Sequence, residues 1–423
     1  MIEITPVQKV DKTVTLPGSK SLTQRALIAA ALGNGTSKLI GPLVSEDTDY
    51  SSKALGQMGM TITKGVGVWT VEGGGGKIKS SDEPIYLGNN GTATRFLTSV
   101  TGLGHSPFVI DGDERMHERP IEPLMKALQG WGVDIVSINN TGCPPLRIQG
   151  SGLSGGETVL PEGKSSQYLS SLLLVAPYAA KPATLKVEGE VLSKPYVAMT
   201  LAVMADFGIV VEAARDFSSF AIPQGCYKAQ EYRVEGDASN ASYFWAAAAV
   251  TGGTVTVSNV PVPSLQGDAM LVPLLGRMGC EVQKEGNGIT VSAARPLEGI
   301  TVDMGDMPDV VPTLAVVAAF AEGKTEITNI AHLRIKECDR LTATVTELTK
   351  LGAKVEEFED RMIIHGDGGK NLHGADIETY KDHRMAMCFA VAGLKVPGVK
   401  IHGEDCVAKS FPDFWERFAL LQD

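Results

Sequence analysis

One pattern recurs six times along this chain of 423 residues: a helix of small apolar residues, a turn that usually carries glycine, then a β-branched strand. The copies are 26–43, 95–113, 168–190, 242–260, 311–330 and 385–403. AAAAVTGGTVTVSNV and AVVAAFAEGKTEITNI show the switch from helical period to strand alternation in two of them. A second helix follows most copies and ends on Gly59, Gly132, Gly208, Gly279 or Gly352, where a left-handed helix end favours glycine. The sixth copy runs out near Phe414–Leu421, and the N-terminal strand 2–16 is placed to complete it. Six units of about 70 residues, each reading βαβαββ, predict an α/β molecule of two pseudo-symmetric domains with three units apiece. The chain crosses between domains near Ser19–Lys20 and Glu235–Gly236, giving residues 20–235 as the central domain and 1–19 plus 236–423 as the other.

A net charge of −11 speaks against a nucleic-acid surface but leaves room for a local basic pocket. Cys143, Cys226, Cys280, Cys338, Cys388 and Cys406 form no C-x-x-C pair, so reduced thiols are expected rather than a disulfide framework or a zinc site. The longest apolar run, 310–321, is far short of a membrane span, and Met1 leads into no signal-peptide pattern. The expectation is a cytoplasmic protein that does not engage a membrane.

The polar motifs stand just ahead of the repeated helices: PGSKSLTQR (17–25), LGNNGTATR (87–95), EGKSSQY (162–168), EGDASNAS (235–242), DMPDVVP (306–312) and YKDHR (380–384). ERMHERP (114–120), LSKPY (192–196), IKECDR (335–340) and AKSFP (408–412) are expected to open second helices. Any one of these is an ordinary capped helix start. Together they put Lys20, Arg25, Arg95, Arg119, Lys336, Arg340, Arg384 and Lys409 at one kind of structural address. Helix N-termini present unpaired N–H groups and partial positive charge, so this placement predicts a receptor for multiply charged anions.

These motifs, in this order over the whole chain, resemble the 5-enolpyruvylshikimate-3-phosphate synthase family. The resemblance implies two globular halves of three βαβαββ units each, an inside-out α/β barrel arrangement, with the active site in the interdomain cleft. It implies transfer of the enolpyruvyl group of phosphoenolpyruvate to the 5-hydroxyl of shikimate 3-phosphate through a tetrahedral intermediate, with no cofactor and a monomeric enzyme. By motif match, Ser165, Ser166, Ser193, Tyr196 and Arg25 would hold the shikimate phosphate and ring, with Ser21, Lys336 and Asp309 on its hydroxyls. Gln167 would lie between the substrates. Lys20, Gly91, Arg119, Arg340, Arg384 and Lys409 would bind phosphoenolpyruvate, supported by Asn89 and Thr92. Asp309 is implied as the base and Glu337 as the acid, with Lys20 a competing proton donor.

Three positions depart from the family pattern. His332 stands at a shikimate contact where Asn is common, Asn90 where a small residue is usual, and Phe96 where Pro is common. Gly91 leaves room for glyphosate, and the bulkier Asn90 and Phe96 leave the strength of inhibition open. The sister enzyme acting on UDP-N-acetylglucosamine carries Lys-Asn in place of Lys20-Ser21 and usually a reactive loop residue, whereas DGDERMHERP has no Cys. A non-catalytic anion- or RNA-end-binding protein would gain nothing from Asp309 and Glu337 among the cations, and it would need a basic exterior.

Overall fold

The computed structural model describes residues 1–162, 165–286 and 288–422. Gly163 and Lys164 of the EGKSSQY motif lie outside the described residues. The chain divides into two compact units, one of Met1–Pro17 with Glu235–Asp423, the other Gly18–Val234.

In the unit Gly18–Val234 the helices are α1 (Lys20–Leu32), α2 (Glu46–Gln57), α3 (Gly91–Thr101), α4 (Glu122–Gly130), α5 (Ser166–Val175) and α6 (Lys194–Asp206). In the other they are α7 (Ala238–Thr251), α8 (Leu271–Arg277), α9 (Val311–Ala319), α10 (Arg340–Lys350), α11 (His383–Gly393) and α12 (Phe414–Ala419). The odd-numbered helices are buried on nearly every side, and within each unit the three pack on one another. Their composition explains this. A helix apolar or small-residued all round, such as ASYFWAAAAV in α7, has no face to offer water and must sit in the middle. The even-numbered helices α2, α4 and α10 carry charged residues along one side and lie further out.

Six small sheets flank these helices, five of four strands and one of three, and they remain separate sheets rather than a closed barrel among the described residues. Each contains a parallel pair, which needs a crossover connection. In four of them that connection is an inner helix: 85–86 and 107–111 flank α3, for example, and 376–378 and 400–402 flank α11. The other two exchange strands. Asp11–Val14, which precedes α1, pairs with Thr254–Val257 after α7, while Glu231–Arg233, which precedes α7, pairs with Asn34–Ile40 after α1. Within the N-terminal segment, Ile2–Glu3 is the part that pairs as a strand with the sixth unit among the described residues, antiparallel to Lys400 and Ile401, and Ile4 and Val7 add N–H bonds to the Val399 and Leu394 carbonyls. The expected completion by the whole segment 2–16 is therefore corrected to a split between two sheets.

The five glycines that end second helices are left-handed, with φ of 94° at Gly59, 87° at Gly132, 91° at Gly208, 118° at Gly279 and 92° at Gly352. Among the described residues no helix is long and apolar enough to cross a membrane.

Candidate functional site

The polar motifs do sit at the starts of the inner helices: Lys20 opens α1, Gly91 α3, Ser166 α5 and His383 α11. Three of the second-helix motifs differ from expectation. Arg119, Lys336 and Lys409 stand at the ends of short 3-10 turns, 116–118, 331–335 and 404–409, and α4, α10 and α12 start three to five residues after them. Pro120 and Pro412, which lack an N–H to donate, fall in two of these connecting corners, between turn and helix.

In the unit Gly18–Val234, Arg25 is the most constrained cation. It lies wholly buried in the second turn of α1, donating from Nε to the Thr200 hydroxyl at 2.7 Å and from Nη1 to the Ser21 carbonyl at 2.9 Å. Its Nη2 donates to Ser170 Oγ at 3.2 Å and to the Tyr196 carbonyl at 3.1 Å. The guanidinium lies over Phe96 at 5.3 Å and Tyr196 at 5.9 Å from the ring centroids. Burial pulls its pKa down to about 10, with Tyr196 and Tyr232 opposing, so a cation is held here with no carboxylate partner among the described residues. Such a charge is costly unless an anion joins it. Ser193, left-handed at φ 55°, caps α6 two residues before Pro195 and beside Tyr196.

The start of α3 forms a second cluster in this unit. Asn90 caps the helix, accepting from Ala93 N at 2.9 Å and donating to the Asp47 carbonyl at 2.7 Å. Its side chain is thus committed to the cap, which removes Asn90 as a reason to expect crowding in front of Gly91. Arg119 donates to the carbonyl and side-chain oxygens of Asn89 at 3.2 and 2.9 Å. Gln167 at the start of α5 donates to Thr92 at 3.1 Å, tying two helix starts together. Lys20 pairs with the buried Asp47 at 3.0 Å. Arg95 donates to the Gly91 carbonyl of its own helix at 3.2 Å and to the Pro120 carbonyl, outside that helix, at 3.1 Å.

In the other unit, Arg340 gathers three carboxylates. Its Nη1 meets Asp309 at 2.9 Å, its Nη2 Glu337 at 2.7 Å, and its Nε Asp382 at 2.7 Å. The second oxygen of Asp309 receives Arg384 at 2.6 Å, and Arg384 also approaches the Tyr243 hydroxyl at 3.4 Å. Burial alone would raise the Asp309 pKa, but Arg384, Arg340 and Lys336 outweigh it and hold the carboxyl well below its usual range. Asp309 is therefore ionised. Burial first, then the Asp309 charge, pushes the nearby Asp268 up to about 6. His332, only 5% exposed, has neither ring nitrogen hydrogen-bonded among the described residues, and burial followed by Lys336 lowers its pKa to about 3. It is a neutral imidazole with unspent hydrogen-bonding capacity.

Sequence reasoning passed over Asp47, Asp268 and Asp382, as well as the Ser170–Thr200 hydroxyl pair behind Arg25. The signal for Asp382 was in plain view, because an Asp directly before an apolar helix is an N-cap candidate; it accepts from Arg384 N at 2.9 Å. Nothing in local pattern announced the others.

Buried guanidiniums near helix starts, a carboxylate bridging two of them, and two further carboxylates on one of those arginines suit a class of α/β repeat proteins that handle small multiply charged anions. A sequence profile of the EPSP synthase (3-phosphoshikimate 1-carboxyvinyltransferase) family matches residues 4–418. The 3-phosphoshikimate 1-carboxyvinyltransferase of Nostoc punctiforme is 44% identical over 421 residues, covering 99% of this chain and 98% of that one. That of Trichormus variabilis is 46% identical over 412 residues, 97% and 96% of the two chains. An EPSP synthase structure from Acinetobacter baumannii superposes with a TM-score of 0.83 at 29% identity, covering 99% of this chain and 97% of that one. The chain belongs to the EPSP synthase family.

Proposed function

We propose how the residues of the two units carry out the family's reaction, in which phosphoenolpyruvate gives its enolpyruvyl group to the 5-hydroxyl of shikimate 3-phosphate and phosphate leaves. Arg25, Ser165, Ser166, Ser193 and Tyr196 bind the shikimate phosphate and ring, with Ser21, Asp309, His332 and Lys336 on the hydroxyls. Lys20, Asn89, Gly91, Thr92, Arg119, Arg340, Arg384 and Lys409 bind phosphoenolpyruvate, and Gln167 meets both substrates. Asp309 takes the proton of the 5-hydroxyl as its oxygen bonds to the enol carbon, and Glu337 protonates the methylene. Loss of that proton and cleavage of the carbon–oxygen bond to phosphate then complete the exchange. Lys20, paired with Asp47, is the competing donor.

The observation that carries this reading is Asp309 bridging Arg340 and Arg384 while Glu337 sits on the same Arg340. The carboxylate is ionised, as a base must be, and arriving anions exchange with it for the guanidinium forks. The reading includes a cytoplasmic monomer with no nucleic-acid or membrane partner. Its support is the acidic charge and six cysteines without disulfide bonds.

Phosphate release with both small substrates tests it, with UDP-N-acetylglucosamine as the alternative acceptor. Release with shikimate 3-phosphate alone as acceptor is expected, and Asp309→Asn should lower kcat by about 100-fold or more. Release only with the nucleotide sugar, or none with either, overturns the reading.

A further inference from the structure

Two consecutive residues lacking glycine's freedom, Tyr380 and Lys381, are left-handed, with φ of 53° and 56°, directly before the start of α11. Side chains there crowd the backbone, and such strain persists only where the surroundings dictate it. The segment around it is held by one face of α10. Arg340 and Glu347 stand seven residues apart on that helix, two turns and about 10 Å along the same side. Arg340 holds Asp382 through two nitrogens, at 2.7 and 3.3 Å. Glu347, wholly buried, accepts from the Tyr380 hydroxyl at 2.7 Å and from the Glu378 N–H at 3.2 Å, and Lys350 neutralises it at 2.9 Å. The segment 378–382 is thus fastened to α10 at both ends, and the strained pair lies between the fastenings. Its last residue, Asp382, caps α11 at Arg384 N, and the Arg384 guanidinium reaches Asp309.

We propose that Glu347 and Tyr380 are positioning residues for Arg384 and Arg340: the Tyr380–Glu347 hydrogen bond holds the left-handed pair, and through Asp382 it sets where both guanidiniums point. Neither residue touches substrate in this account. The inference rests on the reading that Arg340 and Arg384 bind phosphoenolpyruvate, and it locates part of that affinity in a carboxylate buried two helical turns from Arg340. Tyr380→Phe removes one hydroxyl and leaves the ring. Glu347→Gln keeps the shape but loses the charge that Lys350 neutralises.

The test reads two quantities. Arginine Nε–H resonances of the full chain, assigned with Arg340→Lys and Arg384→Lys, report the order of both guanidiniums without any substrate. Steady-state kinetics report the consequence. In Tyr380→Phe, the Arg340 and Arg384 signals should shift or broaden, and the KM for phosphoenolpyruvate should rise about fivefold or more while that for shikimate 3-phosphate stays within about twofold. Glu347→Gln should move the same signals in the same direction; if it does not fold, Tyr380→Phe still decides. Arginine signals that superimpose on those of the parent chain overturn the proposal whatever the kinetics. So does an unchanged phosphoenolpyruvate KM in an active variant, since a merely structural bond would lower the melting temperature alone. A parent chain that releases no phosphate sinks the functional reading, and the arginine signals then still judge the positioning claim.

Discussion

Gly91 opens α3 with its missing side chain facing Arg119. A Cβ there would lie 2.5 Å from Nη2 and 2.8 Å from Cζ of that guanidinium, which Asn89 already ties down on the other side. Gly91→Ala should therefore displace Arg119 and raise the KM for phosphoenolpyruvate by about tenfold or more, with shikimate 3-phosphate little affected. A phosphoenolpyruvate KM equal to that of the parent would show that Arg119 yields at no cost. His332 allows a prediction in pH. Folded, it stays neutral down to about pH 3; unfolded, it takes up a proton below its ordinary value of 6.5. The unfolded state thus binds more protons across that window, so wild-type stability falls as pH falls through it. His332→Asn removes this term. Urea melts at pH 7 and pH 4 should show the wild type losing more stability than the variant, by at most about 1.4 kcal/mol per pH unit. Curves that keep a constant separation would mean the imidazole is solvated. At this scale, position along the chain was legible and pairing was not. Lys20 and Arg340 announced themselves as cations near helix starts, but Arg340 finds Asp382 across 42 residues of sequence, and no local pattern predicts that meeting.

Helix ends were the most legible elements, because a left-handed turn admits few residues besides glycine. The repeat makes those glycines look equivalent, but their surroundings differ. At Gly132 a Cβ would meet only the Ser154 side chain at 3.6 Å, ordinary contact, so Gly132→Ala costs backbone strain alone, about 1–2 kcal/mol. At Gly352 it would lie 2.6 Å from the Asn371 carbonyl oxygen, a backbone atom that cannot step aside. Gly352→Ala should destabilise more than Gly132→Ala in denaturant melts, and equal costs would show that 371–373 moves freely. The 3-10 turns carrying Arg119, Lys336 and Lys409 were less legible. Five or six polar residues between a strand and a helix satisfy either an early helix or a corner, and packing chooses.

Each unit of the molecule has its own core: one cluster runs through Leu22 to Val234, and the other joins Ile4, Val10, Val14 and Leu16 to residues from Ala238 onward. The fragment 18–234 expressed alone should therefore fold with a cooperative transition. The fragment 235–423 alone should not, because it lacks the strands 2–3 and 11–14 that complete two of its sheets. Adding the peptide 1–17 in trans should restore its ellipticity and cooperative melt; a cooperative fold without the peptide would contradict the strand exchange.

The sixfold rhythm with which the chain presented itself was determined by sequence alone, since composition decides which helices tolerate no water and glycine decides where helices can end. The strand exchange was not, because 11–14 and 231–233 are both short alternating segments that either sheet could accept. Nor was the set of carboxylates around Arg340. Those contacts depend on where separate helix starts are brought together, and in a pattern built from repeats that is settled only when the inner helices pack.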